Sequence, residues 1–192
     1  MDDNGVMATD GKWEKLERPG RVLALDPEGT LTRVGVGAHD TVCDIGAGSG
    51  LFSFAAAART DGTVYAVDTD HAVLARLTRK TETTEATNVK AVPADGLPYP
   101  LSSHSVDLAL MVTVLHEIGD KDALIAEVVR LLKPDGRFCV VEFRKDDVCP
   151  GPPLQVRLSP QQVQDLLAAH GLTLEDNFDI GTCFYCQTYV SQ

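Results

Sequence analysis

The chain has 192 residues, enough for one domain with a sizeable core, and 44% hydrophobic with 23% charged residues excludes the disordered and fibrous classes. A formal net charge of −11 argues against a nucleic-acid partner, because phosphate backbones select faces rich in lysine and arginine. No apolar run approaches the ~20 residues that cross a bilayer, and the polar stretch MDDNGVMATD has no signal pattern, so the expectation is a cytoplasmic protein without a membrane span.

Residues 1–20 show no sustained period and read as a mobile arm or lid ahead of a single domain over residues 21–192. Asp26 and Pro27 form a cap and first-turn signal that opens a helix over 27–34, closed by Gly35. A buried-strand run over 41–45 follows, then a helix over 51–59, a β-rich run over 63–67, a helix over 71–80 and a short strand over 89–92. Residues 105–113 form the next strand. An amphipathic helix over 122–132 stops at Lys133-Pro134-Asp135-Gly136, and the strand RFCVVEF occupies 137–143. This alternation predicts a doubly wound α/β fold, a parallel sheet with helices on both faces. Ser159-Pro160 opens one more helix, to about 170. The runs over 173–178 and 183–190 stand too close for a helical crossover and must pair as an antiparallel hairpin.

Five cysteines, at 43, 139, 149, 183 and 186, are scattered through a chain with no secretion pattern, so reduced thiols are expected and a disulfide framework is not. Cys43 and Cys139 fall inside core strands. Cys149, in the turn-rich CPGPP segment, and Cys183, beside the hairpin turn, both approach the expected ligand edge of the sheet, while Cys186 points to the opposite face from Cys183.

The stretch TVCDIGAGSG carries the first chemistry. Glycines after a first strand let the backbone approach a ligand, yet the nicotinamide fingerprint G-x-G-x-x-G needs a glycine where Leu51 stands. Asp44 would repel a pyrophosphate by roughly 1 to 4 kcal/mol at ~4 Å and would favour a ligand carrying an ammonium group. Asp68 ends the next strand, where such folds grip ribose hydroxyls, and Asp95 follows the third, within reach of an exocyclic amine of adenine. Three acids at successive strand ends, with no phosphate-binding lysine, describe a nucleoside ligand without phosphate, and S-adenosylmethionine fits.

The successive segments VCDIGAGSG, YAVD, PADGLPYP, SVDLALMVTVLHEI and LLKPDGRFCVVEF resemble the motifs of the class I S-adenosylmethionine-dependent methyltransferases, of the broad group similar to the ubiquinone and menaquinone biosynthesis enzymes. The resemblance implies a Rossmann-like, mostly parallel seven-stranded sheet with an antiparallel last strand. It implies S-adenosylmethionine as cofactor, S-adenosylhomocysteine as product and a small-molecule methyl acceptor. Residue by residue it places Asp44, Gly46, Ala47 and Gly48 at the methionine end and gives Gly50 to close packing. It puts Asp68 and Thr69 on the ribose, Ala94, Asp95 and Gly96 at adenine, and Val112, Thr113 and His116 near the sulfonium. No metal is implied, and the assembly is a monomer or homodimer.

Several readings stay open. His116 is either a general base or a residue that fixes its loop, and it is the one candidate catalytic residue. Glu142, Arg144 and Lys145 end the fifth strand; Arg144 either holds an acidic acceptor or belongs to a solvated cluster. Two or three thiolates among Cys149, Cys183 and Cys186 would suit a soft acceptor such as a thiol or arsenite. The rival functions are an NAD(P)-dependent oxidoreductase, opposed by Leu51 and Asp44, and a methyltransferase-like module that acts through a partner.

Overall fold

The computed structural model describes residues 13–146 and 149–191. Its strands are β1 (Val42–Ile45), β2 (Val64–Asp68), β3 (Val89–Pro93), β4 (Val106–Val112), β5 (Leu132–Phe143), β6 (Leu172–Ile180) and β7 (Phe184–Ser191). They form one sheet in the order β3-β2-β1-β4-β5-β7-β6, with β7 antiparallel to both neighbours and β1 to β5 parallel. The helices are α1 (Pro19–Leu25), α2 (Pro27–Val34), α3 (Leu51–Ala57), α4 (His71–Thr84), α5 (Lys121–Leu131) and α6 (Pro160–Ala168), with a 3-10 turn at Leu115–Glu117 after β4. None of the described helices is long and apolar enough to cross a membrane.

The period of two along each strand divides the core. Val42 of β1, Leu108 and Leu110 of β4, and Cys139 and Val141 of β5 face one side, where Leu31, Phe52, Ala56, Val73 and Leu77 of α2, α3 and α4 pack. The alternate residues Cys43, Ile45, Ala109, Met111, Phe138 and Val140 face the other side and meet Leu124, Ile125 and Val128 of α5 and Val163 and Leu167 of α6. Burial on both faces explains why these strands read as continuous apolar runs.

The caps form as their sequences dictate. Asp26 accepts from Gly29 N at the start of α2, and Ser159 with Gln162 closes a reciprocal capping box at α6. The expected break at 133–136 is absorbed differently. β5 begins directly after α5, Asp135 takes a left-handed conformation (φ 61°), and the pairing register with β4 shifts between Val106 and Leu108. A bulge thus does the work of a loop.

Of the expected N-terminal arm, residues 1–12 lie outside the described residues. Residues 13–16 are helical, and Trp13 packs on the first core face under the Arg76 guanidinium, 4.5 Å from its ring centroid.

The expectation of reduced thiols is overturned at one pair. Cys149 and Cys183 form a disulfide with a Cα–Cα distance of 5.4 Å, joining the loop after β5 to the turn before β7. Those loops meet because β5 and β7 pair from Arg137 opposite Val190 to Phe143 opposite Phe184. Cys43, Cys139 and Cys186 are buried free thiols, and the Sγ atoms of Cys139 and Cys186 lie 3.4 Å apart. Arg157 secures the same loop, donating to the carbonyls of Pro152, Arg144, Asp146 and Cys149. Closing a sequence separation of 34 residues restricts the unfolded chain by about 3–4 kcal/mol in the chain-entropy description. Reduction, or Cys183→Ser, is expected to lower unfolding stability in urea by about that amount while leaving the far-ultraviolet spectrum unchanged; equal midpoints for the oxidised and reduced protein would refute the assignment.

Candidate active site

Strand order reverses at β1, which lies between β2 and β4, and a ligand crevice is expected at the carboxyl ends there. A cavity of about 780 Å³ opens at that place, walled by the ends of β1, β2, β4 and β5 and roofed by Lys15, Leu16, Arg21 and Pro152.

Asp44 sits at its base, 2% exposed, because strand parity turns it with Val42 toward α3. Ser53 of α3 donates to Oδ2 at 2.6 Å. The Ser53 backbone amide adds a second, weaker stabilising contact to the same carboxyl, and the residue lines the cavity. Burial pushes the carboxyl up to about 6, against the Ser53 hydrogen bond, with the Asp68 charge adding to the rise.

The glycine turn folds back on its own sheet. Gly46 N and Ala47 N donate to Val67 O at 2.8 and 3.0 Å, and Gly48 N donates to Asp68 Oδ2 at 2.9 Å. Three amides of the turn, those of Gly46, Ala47 and Gly48, are therefore already engaged. Gly46 has φ 73°, and a Cβ there would stand 2.5 Å from Val114 Cγ2, so both backbone and space demand glycine. Gly50 caps α3 in the left-handed region, where a Cβ would meet Leu77 at 2.6 Å. It serves packing and does not line the cavity.

Asp68, 7% exposed, uses Oδ2 for Gly48 and Oδ1 for the amide of Asp70 at 3.0 Å. A carboxylate has about four acceptor positions, so about two remain for a ligand. Thr69, Ala94, Val112 and Thr113 join it on the wall. The structure does not bring Asp95 or Gly96 there. Asp95 pairs instead with His71 Nε2 at 2.8 Å, at the start of α4, with its side chain 67% exposed.

Thr113 follows β4 with φ 57°, a conformation that costs a β-branched residue on the order of 1–3 kcal/mol. Two bonds hold it: its amide donates to Val141 O at 2.7 Å, and Arg21 Nη2 donates to its hydroxyl at 2.9 Å. Arg21 also donates to Leu16 O and has no carboxylate partner among the described residues; burial lowers its proton affinity.

His116 lines the cavity with its side chain 4% exposed. Glu142 is fully buried behind it. Oε2 of Glu142 accepts from His116 Nδ1 at 2.8 Å, and Oε1 accepts from the His116 amide at 3.2 Å. Glu142 is thus no member of a solvated cluster, since its alternation with Phe138 and Val140 points it inward. Arg144 does belong to one, ion-paired with Asp146 and Asp179. The soft-acceptor idea loses its thiolates: Cys149 and Cys183 are bonded to each other, Cys186 is in the core, and none of the three lines the cavity.

Residues 43–140 match the sequence profile of the family described as "Methyltransferase domain". The chain belongs to that family. It is 32% identical over 122 residues to a ubiquinone/menaquinone biosynthesis C-methyltransferase UbiE of Acidiphilium cryptum, covering 63% of this chain and 49% of that protein. An O-methyltransferase of Pyrenophora dematioidea is 23% identical over 186 residues, 88% of this chain and 69% of its own. A SAM dependent methyltransferase from Aquifex aeolicus superposes with a TM-score of 0.90 at 24% identity, covering 95% of this chain and 98% of that one. The domain spans about half the length of the UbiE relatives it matches. It carries the fold and the S-adenosylmethionine-type motifs of the class I methyltransferases.

Sequence reading missed Lys15, Leu16, Arg21, Tyr99 and Phe143 on the cavity wall. The first three lie in a segment without a period. Burial pushes the Tyr99 phenol up to about 12, so at neutral pH it keeps its proton.

A raised carboxyl destabilises the folded state once it ionises. The wild-type protein free of ligand therefore loses stability relative to Asp44→Asn as pH rises from the ordinary value of 3.8 through about 6, and the difference levels off above that. The expected gain for Asp44→Asn at pH 8 is about 2–3 kcal/mol in a urea titration; a variant less stable than wild type at pH 8 would contradict the burial argument.

Proposed function

We propose that the protein transfers a methyl group from S-adenosylmethionine to a small-molecule acceptor. The observation that carries this reading is the buried Asp44 carboxylate on the wall of a cavity whose glycine turn spends the amides of Gly46, Ala47 and Gly48 on its own sheet. A zwitterionic amino-acid tail suits that end: its ammonium meets Asp44, and Arg21, a partly buried guanidinium without a carboxylate partner among the described residues, meets its carboxylate. The acceptor positions left on Asp68 suit a ribose diol. Ala94 and Tyr99 supply an apolar slot for the base, with Asp95 outside it.

When bound, S-adenosylmethionine supplies a methyl group on a cationic sulfur, open to in-line displacement. The chain's own residues orient the two reactants, and the roof of Leu16, Arg21 and Pro152 excludes water. Among relatives, the UbiE name denotes methylation at carbon and the fungal name methylation at oxygen. A quinone precursor is the acceptor class that the UbiE name supports.

Calorimetric titration with S-adenosylhomocysteine and with NADH tests the cofactor. We expect binding of the first, weakened about 10- to 100-fold by Asp68→Ala and by Arg21→Ala, each of which removes hydrogen bonds to or from a charged group. Tight NADH binding with no affinity for S-adenosylhomocysteine would sink the proposal.

A further inference from the structure

We propose that His116 takes the proton that the methyl acceptor must lose, held for that task by the positioning residue Glu142, and that the acceptor is accordingly a hydroxyl, or a ring carbon activated by one, rather than a thiolate or tertiary amine. This inference rests on the methyl-transfer reading above.

Geometry fixes the roles of the two ring nitrogens. Glu142 has no exposed surface, and its oxygens accept from the His116 ring, the His116 amide and the Phe143 amide, the last at 3.3 Å. An acceptor-only carboxylate against Nδ1 requires the proton on Nδ1 and leaves the lone pair on Nε2. Phe143 packs edge-on against the imidazole, with ring centroids 5.7 Å apart, and fixes the ring plane. Glu117, on the same 3-10 turn and 73% exposed, places Oε1 3.7 Å from Nε2. The ring thus has a buried carboxylate behind it, at Nδ1, and an exposed one beside Nε2. A residue serving only to fix the loop would need neither the second carboxylate nor a place on the cavity wall.

The other titratable groups on the wall are Lys15, Arg21, Asp44, Asp68 and Tyr99. Behind Glu142, Tyr185 of β7 donates its phenol proton to Leu158 O and so stays a neutral neighbour. In the step itself the acceptor's O–H bond breaks and the proton goes to Nε2, which leaves a phenolate that is nucleophilic at oxygen or at a conjugated ring carbon. Where the carbon is methylated, its C–H proton leaves afterwards to water, a proton returns to the oxygen and the ring regains its aromaticity. The electron pair left on the acceptor forms its bond to the methyl carbon, and the electrons of the broken carbon–sulfur bond remain on sulfur. The imidazolium then returns its proton to water at the cavity mouth past Glu117.

Nitrogen–proton spectra of protein labelled in its histidines, loaded with S-adenosylhomocysteine and assigned with His116→Gln, read the ring directly. We expect Nδ1 protonated and Nε2 bare at alkaline pH, with the second proton arriving on Nε2 on acidification, and loss of the Nδ1 preference in Glu142→Gln. A bare Nδ1, or an Nε2 that takes up no proton while the protein stays folded, overturns the inference. Labelled-methyl transfer to a naphthoquinol and a catechol, against 2-mercaptoethanol and N-methylpyrrolidine, reads the chemistry. For the first pair, kcat is expected to fall about 100- to 10,000-fold in His116→Gln and about 100-fold in Glu142→Gln, with KM within about twofold and the acid limb of the pH profile lost. Methylation of the thiol or tertiary amine alone, unaffected by either variant, overturns it. Unchanged affinity for S-adenosylhomocysteine in both variants shows that the pocket is intact. Absence of that affinity in the wild type defeats the methyl-transfer reading and this inference together, whereas binding with the wrong tautomer defeats this inference alone.

Discussion

A carboxylate removed from water and held by a single residue, Ser53, is the constraint around which the cavity is organised. Asp44 stands where strand order reverses, so β2 and β4 lie on either side of it and the cavity opens beside it. Strand alternation turns it toward α3, and α3 begins immediately after the glycine turn, which brings Ser53 within reach. Neither the position nor the burial can be changed without moving β1, the parallel neighbour of both halves of the sheet. Ionisation at this place costs the ligand-free protein stability, a cost that a cationic group in the cavity would offset.

The rest of the cavity is completed by chain that has little secondary structure in common. Leu16 lies over Gly48, where a Cβ would stand 3.0 Å from its Cδ1, and Arg21 ties α1 to the strained Thr113 after β4. On the opposite side the disulfide and the four carbonyl contacts of Arg157 keep Pro152 in the wall. In a strongly acidic chain the cations on the wall are Lys15 and Arg21, both from the segment before α2. The roof therefore supplies positive charge to a base made of carboxylates, which matches a zwitterion better than it matches either ion alone.

Much of this was legible along the chain. The helix over Pro27–Val34 and the capped helix from Pro160 stand where their local signals put them, because a cap and a first-turn proline act within four residues. The strands stand where apolar runs predicted them, and the short link before β7 forced the antiparallel hairpin. Glu142 was open to the same reasoning: in RFCVVEF it shares a face with Phe138 and Val140, and alternation alone points it inward. Its place in a run of charges obscured that. Asp95 misled in the other direction, since its position after β3 says nothing about His71, which captures its carboxylate at the start of α4.

By itself, then, the sequence determined the order of the elements, the sheet with its reversed last strand, the glycine turn and the acids that end β1 and β2, because each depends on residues within a few positions of one another. Only the tertiary structure decided which of these share a cavity. It bonded Cys149 to Cys183, set Arg21 against Thr113 across 92 positions, and placed Glu142 behind His116 across 26. Such pairs are made by sheet register and by helices laid across strand ends. Proximity of that kind leaves no periodic mark on the chain, since either partner looks like an ordinary loop or strand-end residue until the other is brought to it.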